Sequence, residues 1–565
     1  MNNEQAVKNS AGLVLAMAVK NLFPTVKLGG GAVQNDGFFQ DFDFVTPIKQ
    51  DDLPKIEAEM QRIIKRNLPL EREVKLGSSE RKKVFAKEIY LQGIKTNLVK
   101  IDNFFMPNSD DTVNYTSKIK AFRVMQITGA YWKGDAKNKM LTRLFGVAFD
   151  NKASLAEWEA LQEEIRKRDH NRIGRELELF TTVDIVGQGL PHFMPRGAKV
   201  MQILQRFVED EEERRGYLHV KTPLMAKREL YKLSGHWEHY KDGMFVIGNE
   251  VLDDEVFALR PMTCPFHFFI YKNGIKSYRD LPIRYGETST LFRNEASGEM
   301  HGLTRMRQFT LSEGHIVARE DQMEQVSDEW IDLVNFMMER LGIADKISYR
   351  LSKWDPANKE KYIGNPKAWE AAQDNLRKVL KAKKLPFVEA DGEAAFYGPK
   401  IDLQARNVYG KEDTILTFQL DFQLAERYDM SYVDEKGYKT RPVIFHRTSV
   451  GCYERTLAMI IENTGGAFPT WLAPVQAVVM GISNKQDDYV ESVAAQLRRG
   501  GVRVEKDLRA EKVGYKIREH TVKKVPFLVV VGEKEQEGAT ISVRTREGEE
   551  LGSMKVEELI KKVLG

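Results

Sequence analysis

The feature of this sequence that most constrains its fold is a long charged helix predicted for residues 154–180. Ser154 is a favourable N-cap, Glu157 follows three residues later as in a capping box, and apolar residues then recur at helical spacing. A chain of 565 residues is too long for one hydrophobic core. The helix is therefore interpreted as a linker, within residues 151–180, between an N-terminal domain at residues 1–150 and the rest of the chain.

Two further domains are predicted after the linker. Residues 181–470 are rich in β-branched and aromatic runs broken by helices, which is typical of a large mixed or antiparallel sheet. Residues 471–565 alternate between strand and helix patterns, with a helix at Asp487 to Arg499 and an apolar strand at Phe527 to Val531, which indicates a compact α/β unit. Because residues 1–150 also mix helices with strands, the predicted fold class is multidomain α+β.

Charge and cysteine content exclude several classes of protein. Because 86 basic residues are nearly balanced by 82 acidic ones, any RNA contact must come from a local surface rather than from bulk charge. Only two cysteines occur, Cys264 and Cys452, which excludes a secreted disulfide framework. No apolar run approaches the roughly 20 residues of a membrane span, and Met1 to Asn9 is too polar for a signal peptide. We therefore expect a cytoplasmic protein with no membrane contact.

A pair of charged, strand-like segments carries the first strong functional signal. Leu291-Phe292-Arg293-Asn294-Glu295 is followed by a loop and then by the segment Arg305 to Glu313. This pattern resembles motif 2 of class II aminoacyl-tRNA synthetases, in which two antiparallel strands and their loop hold ATP in a bent shape. The resemblance implies that Arg293 grips the α-phosphate, where negative charge develops as the amino acid attacks, and that Arg305 assists. It also implies that Glu295 binds ATP by accepting a hydrogen bond from the adenine amino group.

Two more segments complete the class pattern. Gly216-Tyr217, with Pro223 after a helix rich in apolar positions, resembles motif 1, which forms the dimer interface in class II synthetases. The run from Gly451 to Arg455 leads into an apolar helix and resembles motif 3. The resemblance implies a homodimer in which Arg455 contacts the γ-phosphate of ATP and Gly451 lets the backbone approach the adenine ring.

Three residues point to one subclass. Cys264 lies in Arg-Pro-Met-Thr-Cys-Pro-Phe-His, His315 lies in Ser-Glu-Gly-His-Ile, and His446 lies in Val-Ile-Phe-His-Arg. These strings resemble those of threonyl-tRNA synthetases, where the matching cysteine and two histidines bind one Zn²⁺ per subunit. Three protein ligands leave a position open on the metal. The resemblance implies that the amino and hydroxyl groups of threonine bind there, whereas valine, which has no hydroxyl, does not.

Further strings resemble the same family and imply more site residues. Leu-Ser-Gly-His236-Trp matches the segment whose histidine helps to take the proton from the terminal ribose hydroxyl. Ala394 to Lys400 matches a substrate-site strand, and Thr417 to Phe422 matches a strand that contacts ATP and substrate. The implied catalytic residues are Arg293, Arg455 and His236. The implied ATP-binding residues are Arg293, Glu295, Arg305, Gln419 and Arg455. The implied substrate-binding residues are Met262, Glu313, Tyr397 and Lys400.

The chain departs from the family pattern at several positions around the expected pocket. It carries Phe266 where bacterial relatives usually have glycine, Leu311 in place of glutamine, Glu313 in place of aspartate, and Cys452 in place of serine. Glu313 still reaches a threonine hydroxyl, with its carboxylate shifted by about one bond length. We interpret Cys452 as a small packing residue rather than as a fourth metal ligand.

Residues 471–565 resemble the anticodon-binding domain of the same subclass. Asp507 to Lys512 and Lys516 to His520 match the family strings. Glu535 and Arg544 fall where relatives read anticodon bases, and an arginine offers two donors to the two acceptors of guanine. The resemblance therefore implies tRNA(Thr) as a partner.

The N-terminal domain is the main exception to the family pattern. The run from Gly129 to Phe149 resembles the bacterial editing domain of threonyl-tRNA synthetases, where a pair of histidines and a later cysteine and histidine line a site that hydrolyses Ser-tRNA. No histidine precedes His170 in this chain, and no cysteine precedes Cys264. The hydrolytic site is therefore predicted to be missing, and we expect no ubiquitin-like domain before it. The positions that match the four editing side chains are at or near Asn9, Leu13, Ile101 and Phe105.

The combined resemblance implies a ligase that activates L-threonine with Mg²⁺-ATP to threonyl-adenylate. The threonyl group would then pass to the 3′ end of tRNA(Thr), without editing of Ser-tRNA on the same chain. Two alternatives remain open at this point. One is a synthetase paralogue for another hydroxy amino acid, and the other is a non-catalytic, synthetase-like RNA-binding regulator.

Overall fold

The computed structural model describes residues 3–34, 37–135, 137–358, 360, 362, 366–407, 410 and 412–565. The chain divides into two compact units, Met1–Glu164 and Ile165–Gly565. The helices of the first unit are α1 (Asn3–Leu22), α2 (Leu53–Lys65), α3 (Ser78–Val84) and most of α4 (Lys152–Arg168). Its strands are β1 (Lys27–Gln34), β2 (Gly37–Asp43), β3 (Glu71–Val74), β4 (Leu98–Ile101), β5 (Phe104–Pro107), β6 (Ala121–Tyr131) and β7 (Met140–Phe149).

The first unit is built around α1. Every residue from Val7 to Val19 is buried, because the run from Asn9 to Val19 contains no charged side chain. The helix packs on an antiparallel sheet with strand order β1-β2-β7-β6. A Cβ at Gly12 would lie 3.2 Å from the Gln40 side chain, so this glycine lets helix and sheet approach closely.

The second unit begins with the elements of a large α+β region. Its helices are α5 (His170–Glu176), α6 (Pro195–Arg214), α7 (Arg228–Ser234), α8 (His236–Tyr240), α9 (Cys264–Lys272), α10 (Met323–Arg340), α11 (Pro366–Ala382), α12 (Leu424–Arg427) and α13 (Tyr453–Thr464). Its short strands are β8 (Phe180–Thr181), β9 (His192–Phe193), β10 (Leu218–His219), β11 (Met225–Lys227), β12 (Val246–Ile247), β13 (Phe257–Leu259), β20 (Tyr432–Val433) and β21 (Lys439–Thr440). Its longer strands are β14 (Ile283–Phe292), β15 (Gln308–Ala318), β16 (Ile347–Lys353), β17 (Phe387–Asp391), β18 (Lys400–Arg406), β19 (Glu412–Asp421) and β22 (Val443–Cys452).

An eight-stranded sheet forms the centre of this region. Its order is β10-β14-β15-β22-β19-β18-β16-β17, and it is antiparallel except for the two edge pairs β10–β14 and β16–β17. The buried helices α10 and α13 cover one large core cluster with residues such as Trp330, Val334, Leu457 and Ile461. The central strands β15, β22 and β19 lie side by side, and they carry the residues described below.

The linker differs from the single helix predicted for residues 151–180. α4 ends at Arg168 and α5 begins at His170, because Asp169 leaves the helical conformation and its carboxylate caps the backbone N–H of Asn171 at 2.6 Å. α5 then stops at Glu176, and Glu178 adopts a positive φ of 56°. The apolar residues that follow enter the core of the second unit instead of extending a surface helix.

The C-terminal part of the second unit is an α/β layer structure. Its strand order is β24-β23-β25-β26-β27, parallel for the first three strands and antiparallel for the last two pairs. The predicted helix Asp487–Arg499 and strand Phe527–Val531 are present with those bounds. The elements are β23 (Ala477–Gly481), α14 (Asp487–Arg499), β24 (Val504–Asp507), α15 (Val513–Val522), β25 (Phe527–Val531), α16 (Glu533–Glu537), β26 (Ile541–Thr545), β27 (Glu550–Met554) and α17 (Val556–Leu564).

Candidate active site

A cavity of about 750 Å³ opens above β15, β19 and β22. Eleven of the predicted site residues line it: His236, Met262, Cys264, Arg293, Glu295, Arg305, Glu313, Tyr397, Gln419, His446 and Arg455. The structure thus brings together side chains from positions as far apart in the sequence as His236 and Arg455. Polar and charged groups cluster at both ends of the cavity, and the two ends differ in their chemistry.

At one end of the cavity, Cys264 and His446 line the wall, and the third residue of the predicted set, His315, is buried beside them. His315 on β15 and His446 on β22 are directly opposite in the antiparallel register, so both side chains leave the same face of the sheet. Cys264, the first residue of α9, completes the group. One donor atom from each residue lies within 4.8 Å of the others, and all three residues are buried. Two imidazoles and a thiol at this separation are a typical ligand set for Zn²⁺.

Hydrogen bonds orient the imidazoles of His315 and His446 towards the centre of this group. His446 Nε2 lies 2.9 Å from an Asp421 carboxylate oxygen, and His267 Nε2 lies 3.0 Å from Glu287. A carboxylate only accepts, so an uncharged ring of His446 or His267 carries its proton on Nε2. Nδ1 of His267 then has no proton, and it accepts a hydrogen bond from Nδ1 of His315 at 2.9 Å. The remaining nitrogens, His315 Nε2 and His446 Nδ1, are 3.0 Å apart and both present lone pairs. A cation between them satisfies this arrangement.

The electrostatics of the group support the same assignment. Burial lowers the pKa of His315 well below its usual value, so its ring is neutral and able to donate a lone pair to a cation. Burial, together with the Glu313 carboxylate, raises the pKa of the Cys264 thiol. A metal ion at this position is therefore what would favour the thiolate form.

The carboxylate of Glu313 adjoins this group. The Cys264 thiol lies 3.9 Å from Glu313 Oε1, while Glu313 Oε2 is buried with no hydrogen-bond partner in the described chain. The Tyr397 hydroxyl donates to Gln419 Oε1. An acceptor left unsatisfied beside a pocket costs free energy, so this carboxylate is prepared for a ligand that donates a hydrogen bond.

The opposite end of the cavity is cationic. Arg293 follows β14 directly, its guanidinium lies 5.1 Å from the centre of the Phe309 ring, and its Nε is buried without a partner in the described chain. Arg305 forms two hydrogen bonds of 3.0 and 2.9 Å to Glu295. Arg455 on α13 donates to the backbone carbonyls of Thr304 and Thr414, each at 3.2 Å. Three arginines at one end of a pocket form an anion-binding surface.

A glycine closes this end of the pocket. Gly451 has a φ of 72°, and a Cβ there would lie 2.1 Å from the Ile415 carbonyl oxygen. No other residue fits this approach between β22 and β19 without displacing the backbone. Cys264, His315 and His446 are called the metal-ligand group below. The neighbouring Cys452 is not part of this group, and its thiol donates to Glu454 at 3.3 Å instead.

His236, the first residue of α8, also lines the cavity. Its Nδ1 is 2.8 Å from the hydroxyl oxygen of Ser234. Burial lowers the pKa of His236 to about 4, with the neighbouring His446 and Arg427 contributing. The ring is therefore neutral at physiological pH, and one of its nitrogens presents a lone pair.

The structure leaves one prediction for this region open and corrects another. Lys400 is not among the described residues that line the cavity, and its ammonium group lies 3.1 Å from Asp402 Oδ2, so its part in substrate binding stays a prediction. Tyr397 does line it, but from a turn closed by the Ala395–Gly398 bridge and not from the predicted strand, since β18 begins only at Lys400. No separate role was predicted for His267, although it lies three residues after Cys264 on one face of α9.

The predicted anticodon residues lie in the C-terminal α/β layer. Glu535 accepts from the Gly532 N–H at 2.8 Å and from the Ser542 hydroxyl at 2.9 Å, so its carboxylate orders the start of α16. Arg544 on β26 is partly exposed and pairs with Glu550 at 3.2 Å. Their part in RNA binding stays a prediction.

In the first unit, the four positions that match the editing side chains lie in or beside the apolar core. Leu13 and Ile101 are 2% and 1% exposed, and Phe105 packs against the same cluster. Asn9 donates to the Asp111 carbonyl at 2.9 Å. None of these four side chains supplies a nucleophile or a base. Separately, no helix in the described part of the chain is long and apolar enough to cross a membrane.

Comparison with known protein families matches two regions of the second unit. The model of the tRNA synthetase class II core domain (G, H, P, S and T) matches residues 248–464, and that of the anticodon binding domain matches residues 476–565. Among solved structures, the RNA binding domain of threonyl-tRNA synthetase from Cryptosporidium parvum superposes with a TM-score of 0.65 at 34% identity. That match covers 70% of this chain and 98% of the other. The predicted class II core and anticodon-binding domains are thus confirmed.

Sequence relatives extend the match over both units. A threonine–tRNA ligase from Clostridium botulinum is 54% identical over 99% of this chain and 88% of its own length. Relatives of the same name from Clostridium perfringens and Listeria monocytogenes are 53% and 42% identical, each over 99% of this chain and 88% of theirs. The chain is therefore a member of the threonine–tRNA ligase family of class II aminoacyl-tRNA synthetases.

Proposed function

We propose that this chain activates L-threonine with Mg²⁺-ATP and transfers the threonyl group to the 3′ end of tRNA(Thr). The observation that carries the proposal is the division of one cavity into a metal-ligand end and an arginine end. The first end suits an amino acid with a hydroxyl group, and the second suits a polyphosphate. Gln419, the register partner of His446, and Tyr397, whose ring lies 5.1 Å from that of His446, line the cavity beside the metal-ligand end.

The arginines act on the phosphates. Arg293 has an unsatisfied Nε at the cavity wall, so it is free to donate to the α-phosphate, where negative charge grows as the threonine carboxylate attacks. Arg455 exchanges its bonds to backbone carbonyls for the γ-phosphate, and Arg305 assists from the loop after β14. Glu295, which accepts a hydrogen bond from Arg305, is proposed to accept a further one from the adenine amino group.

We further propose that Cys264, His315 and His446 hold one Zn²⁺ per subunit. When bound, the zinc supplies an open coordination position for the amino and hydroxyl groups of threonine. Glu287, through His267, and Asp421 fix the ring orientations that the ligand set needs. Glu313, with its unpaired carboxylate oxygen, accepts from the threonine side chain.

His236 is proposed to act in the transfer step. Its ring is neutral at physiological pH, and Ser234 holds Nδ1, which leaves Nε2 for the cavity. This nitrogen is suited to accept the proton of the terminal ribose hydroxyl as that oxygen attacks the threonyl-adenylate.

We also propose that the chain works as a homodimer. Large apolar side chains are exposed in the segments of chain directly before and after α6, the helix of the motif 1 resemblance, and exposed apolar surface favours association. The exposed side chains flanking α6 are Val183, Ile185, Val186, Met194, Leu218, Leu224 and Met225.

Anticodon recognition is assigned to the C-terminal layer, with Glu535 and Arg544 as the residues that contact the anticodon bases.

The function is tested by amino-acid-dependent exchange of pyrophosphate into ATP. We expect threonine to be the best substrate, with valine lower by about 10⁴-fold because it leaves the polar groups of the pocket unpaired. Serine, which lacks one methyl group, should be lower by only about 10–200-fold. A higher kcat/KM for any other hydroxy amino acid would favour a paralogue, and no exchange with any amino acid would favour a non-catalytic protein.

The first unit is proposed to have no editing activity towards Ser-tRNA. Its matching positions carry Asn9, Leu13, Ile101 and Phe105, which offer no base, nucleophile or metal ligand. We expect purified protein to release serine from Ser-tRNA(Thr) at the rate seen in buffer alone. A free-standing deacylase added to the same Ser-tRNA serves as the positive control. Release that increases with the concentration of this chain would contradict the proposal.

A further inference from the structure

A buried histidine outside the cavity joins two elements of its arginine end. His170, at the start of α5, has no exposed surface. Its Nδ1 lies 2.7 Å from Glu462 Oε1 on α13, and its Nε2 lies 3.1 Å from the backbone nitrogen of Leu303. Leu303 belongs to the loop between β14 and β15, which also carries Glu295 and Arg305.

The two hydrogen bonds fix the state of this ring. The backbone nitrogen of Leu303 is a donor only, so His170 Nε2 must accept. The proton of the neutral ring therefore lies on Nδ1 and is donated to Glu462. Each nitrogen has one partner of the right kind, and the two partners lie on different elements.

The loop is shaped to meet this histidine. Gly302 has a φ of 48°, and a Cβ at this position would lie 2.2 Å from His170 Nε2. The turn is closed by hydrogen bonds from Thr304 and Arg305 back to the His301 carbonyl, at 2.9 and 3.2 Å. The bond at Leu303 thus holds a compact turn rather than a flexible strand of chain.

The same loop and the same helix are also joined by Arg455. Its Nε donates to the carbonyl of Thr304, the residue next to Leu303. Glu462 follows Arg455 by seven residues, which is two helical turns and places both on one face of α13. The loop and α13 are therefore connected twice, once by Arg455 to Thr304 and once by Glu462 through His170 to Leu303.

We propose that His170 is a positioning residue for ATP binding. It keeps the loop after β14 aligned with α13 when Arg455 releases the Thr304 carbonyl and binds the nucleotide. This inference rests on the proposed function, in which Arg455 gives up the Thr304 carbonyl to bind the γ-phosphate. The connection through His170 remains at that moment and holds Glu295 and Arg305 in place. His170 itself does not line the cavity and does not touch substrate.

Two conservative variants separate positioning from packing. In His170→Gln, the side-chain amide offers an oxygen at the place of Nε2, which accepts from Leu303, and an N–H group that is able to donate to Glu462, so both roles of the ring are replaced. In His170→Asn, the amide group reaches only the place of Nδ1, so the bond to Glu462 is kept and the bond to the loop is lost. Both variants remove the ring, so a purely structural role would affect them alike.

The measurement is pyrophosphate exchange with threonine, with KM for ATP and for threonine determined separately. We expect His170→Asn to raise KM for ATP by about tenfold, the order expected when one buried donor loses its acceptor, with KM for threonine unchanged. His170→Gln should stay near the wild-type value for both substrates. Glu462→Gln, which keeps an oxygen acceptor for Nδ1, should also stay near it.

A matched control is His520→Gln in the C-terminal layer. His520 is likewise buried and pairs with a carboxylate, Asp507, at 2.9 Å, so its loss disturbs packing to a similar extent. The His520→Gln variant should leave KM for ATP unchanged. If neither histidine variant folds, Glu462→Leu carries the test, because it removes the acceptor on α13 while the ring stays in place, and the same rise in KM for ATP is expected.

The inference is overturned if His170→Asn and His170→Gln have the same KM for ATP, or if KM for threonine rises as much as KM for ATP. An unchanged KM for ATP in Glu462→Leu overturns it as well. Failure of the proposed function looks different, because the wild-type protein would then show no threonine-dependent exchange at all.

Discussion

Replacing Cys264 by serine is expected to remove the metal and, with it, the recognition of threonine. The thiol is 7% exposed, and the two remaining ligands are imidazoles whose lone pairs face each other at 3.0 Å. A hydroxyl group is a poor ligand for Zn²⁺ at neutral pH, so two nitrogen donors alone do not retain the ion. Metal analysis should show stoichiometric zinc in the wild-type protein and almost none in the variant. Threonine-dependent pyrophosphate exchange should fall by about 10³-fold or more.

The matched control for this experiment is Cys452→Ser, which replaces the other cysteine of the chain. Cys452 is also buried and also lines the cavity, but its thiol donates to Glu454 and does not belong to the metal-ligand group. The Cys452→Ser variant should therefore keep its zinc. Retention of stoichiometric zinc by Cys264→Ser would reject the ligand assignment, and loss of zinc from both variants would show that the metal is lost through general disturbance of the pocket.

The metal-ligand group shows why this site is not predictable from local sequence patterns. His315 and His446 are 131 residues apart, and they meet only because β15 and β22 pair in one particular register. A shift of the register by one residue would turn one of them to the other face of the sheet. The three ligands were identified from resemblance to a family. The hydrogen-bonded partners His267, Glu287 and Asp421 became apparent only when the strands and α9 were placed.

Elements with strong local signals were predicted with more success. The helix Asp487–Arg499 and the strand Phe527–Val531 have the predicted bounds, because each is amphipathic or apolar over its whole length and ends at residues that interrupt the pattern. The linker lacks such an end signal. Asp169 was compatible with a helix interior, and its role as a cap was visible only from the position of Asn171.

His170 is a further residue whose role the sequence could not reveal. A lone histidine after a charged helix is compatible with a solvent-exposed or a packed position. Its importance depends on Gly302 and Glu462, which lie more than a hundred residues away and approach it through the loop and α13. Only the folded chain shows that both ring nitrogens have partners on the elements that carry Arg305 and Arg455.

The second large effect is expected at the opposite end of the cavity, in Arg293→Lys. Arg293 lies against the face of Phe309 and directs a guanidinium with an unsatisfied Nε at the cavity wall. Lysine keeps the positive charge but loses the planar pair of donors that grips a phosphate from one side. Because this contact strengthens as charge develops on the α-phosphate, its loss should lower kcat for pyrophosphate exchange by about 10²–10³-fold. KM for threonine should stay unchanged, because the metal-ligand end of the cavity is intact.

Arg305→Lys is the matched control for Arg293→Lys. Arg305 lines the same cavity, but it is half exposed and already engaged with Glu295 and Glu299, so its charge is largely neutralised by neighbours and screened by solvent. We expect a much smaller loss of kcat from this variant than from Arg293→Lys. Equal losses would mean that the two arginines contribute only general positive potential. A loss in Arg293→Lys that appears in KM for ATP while kcat is unchanged would place the contact in substrate binding and not in stabilisation of the transition state.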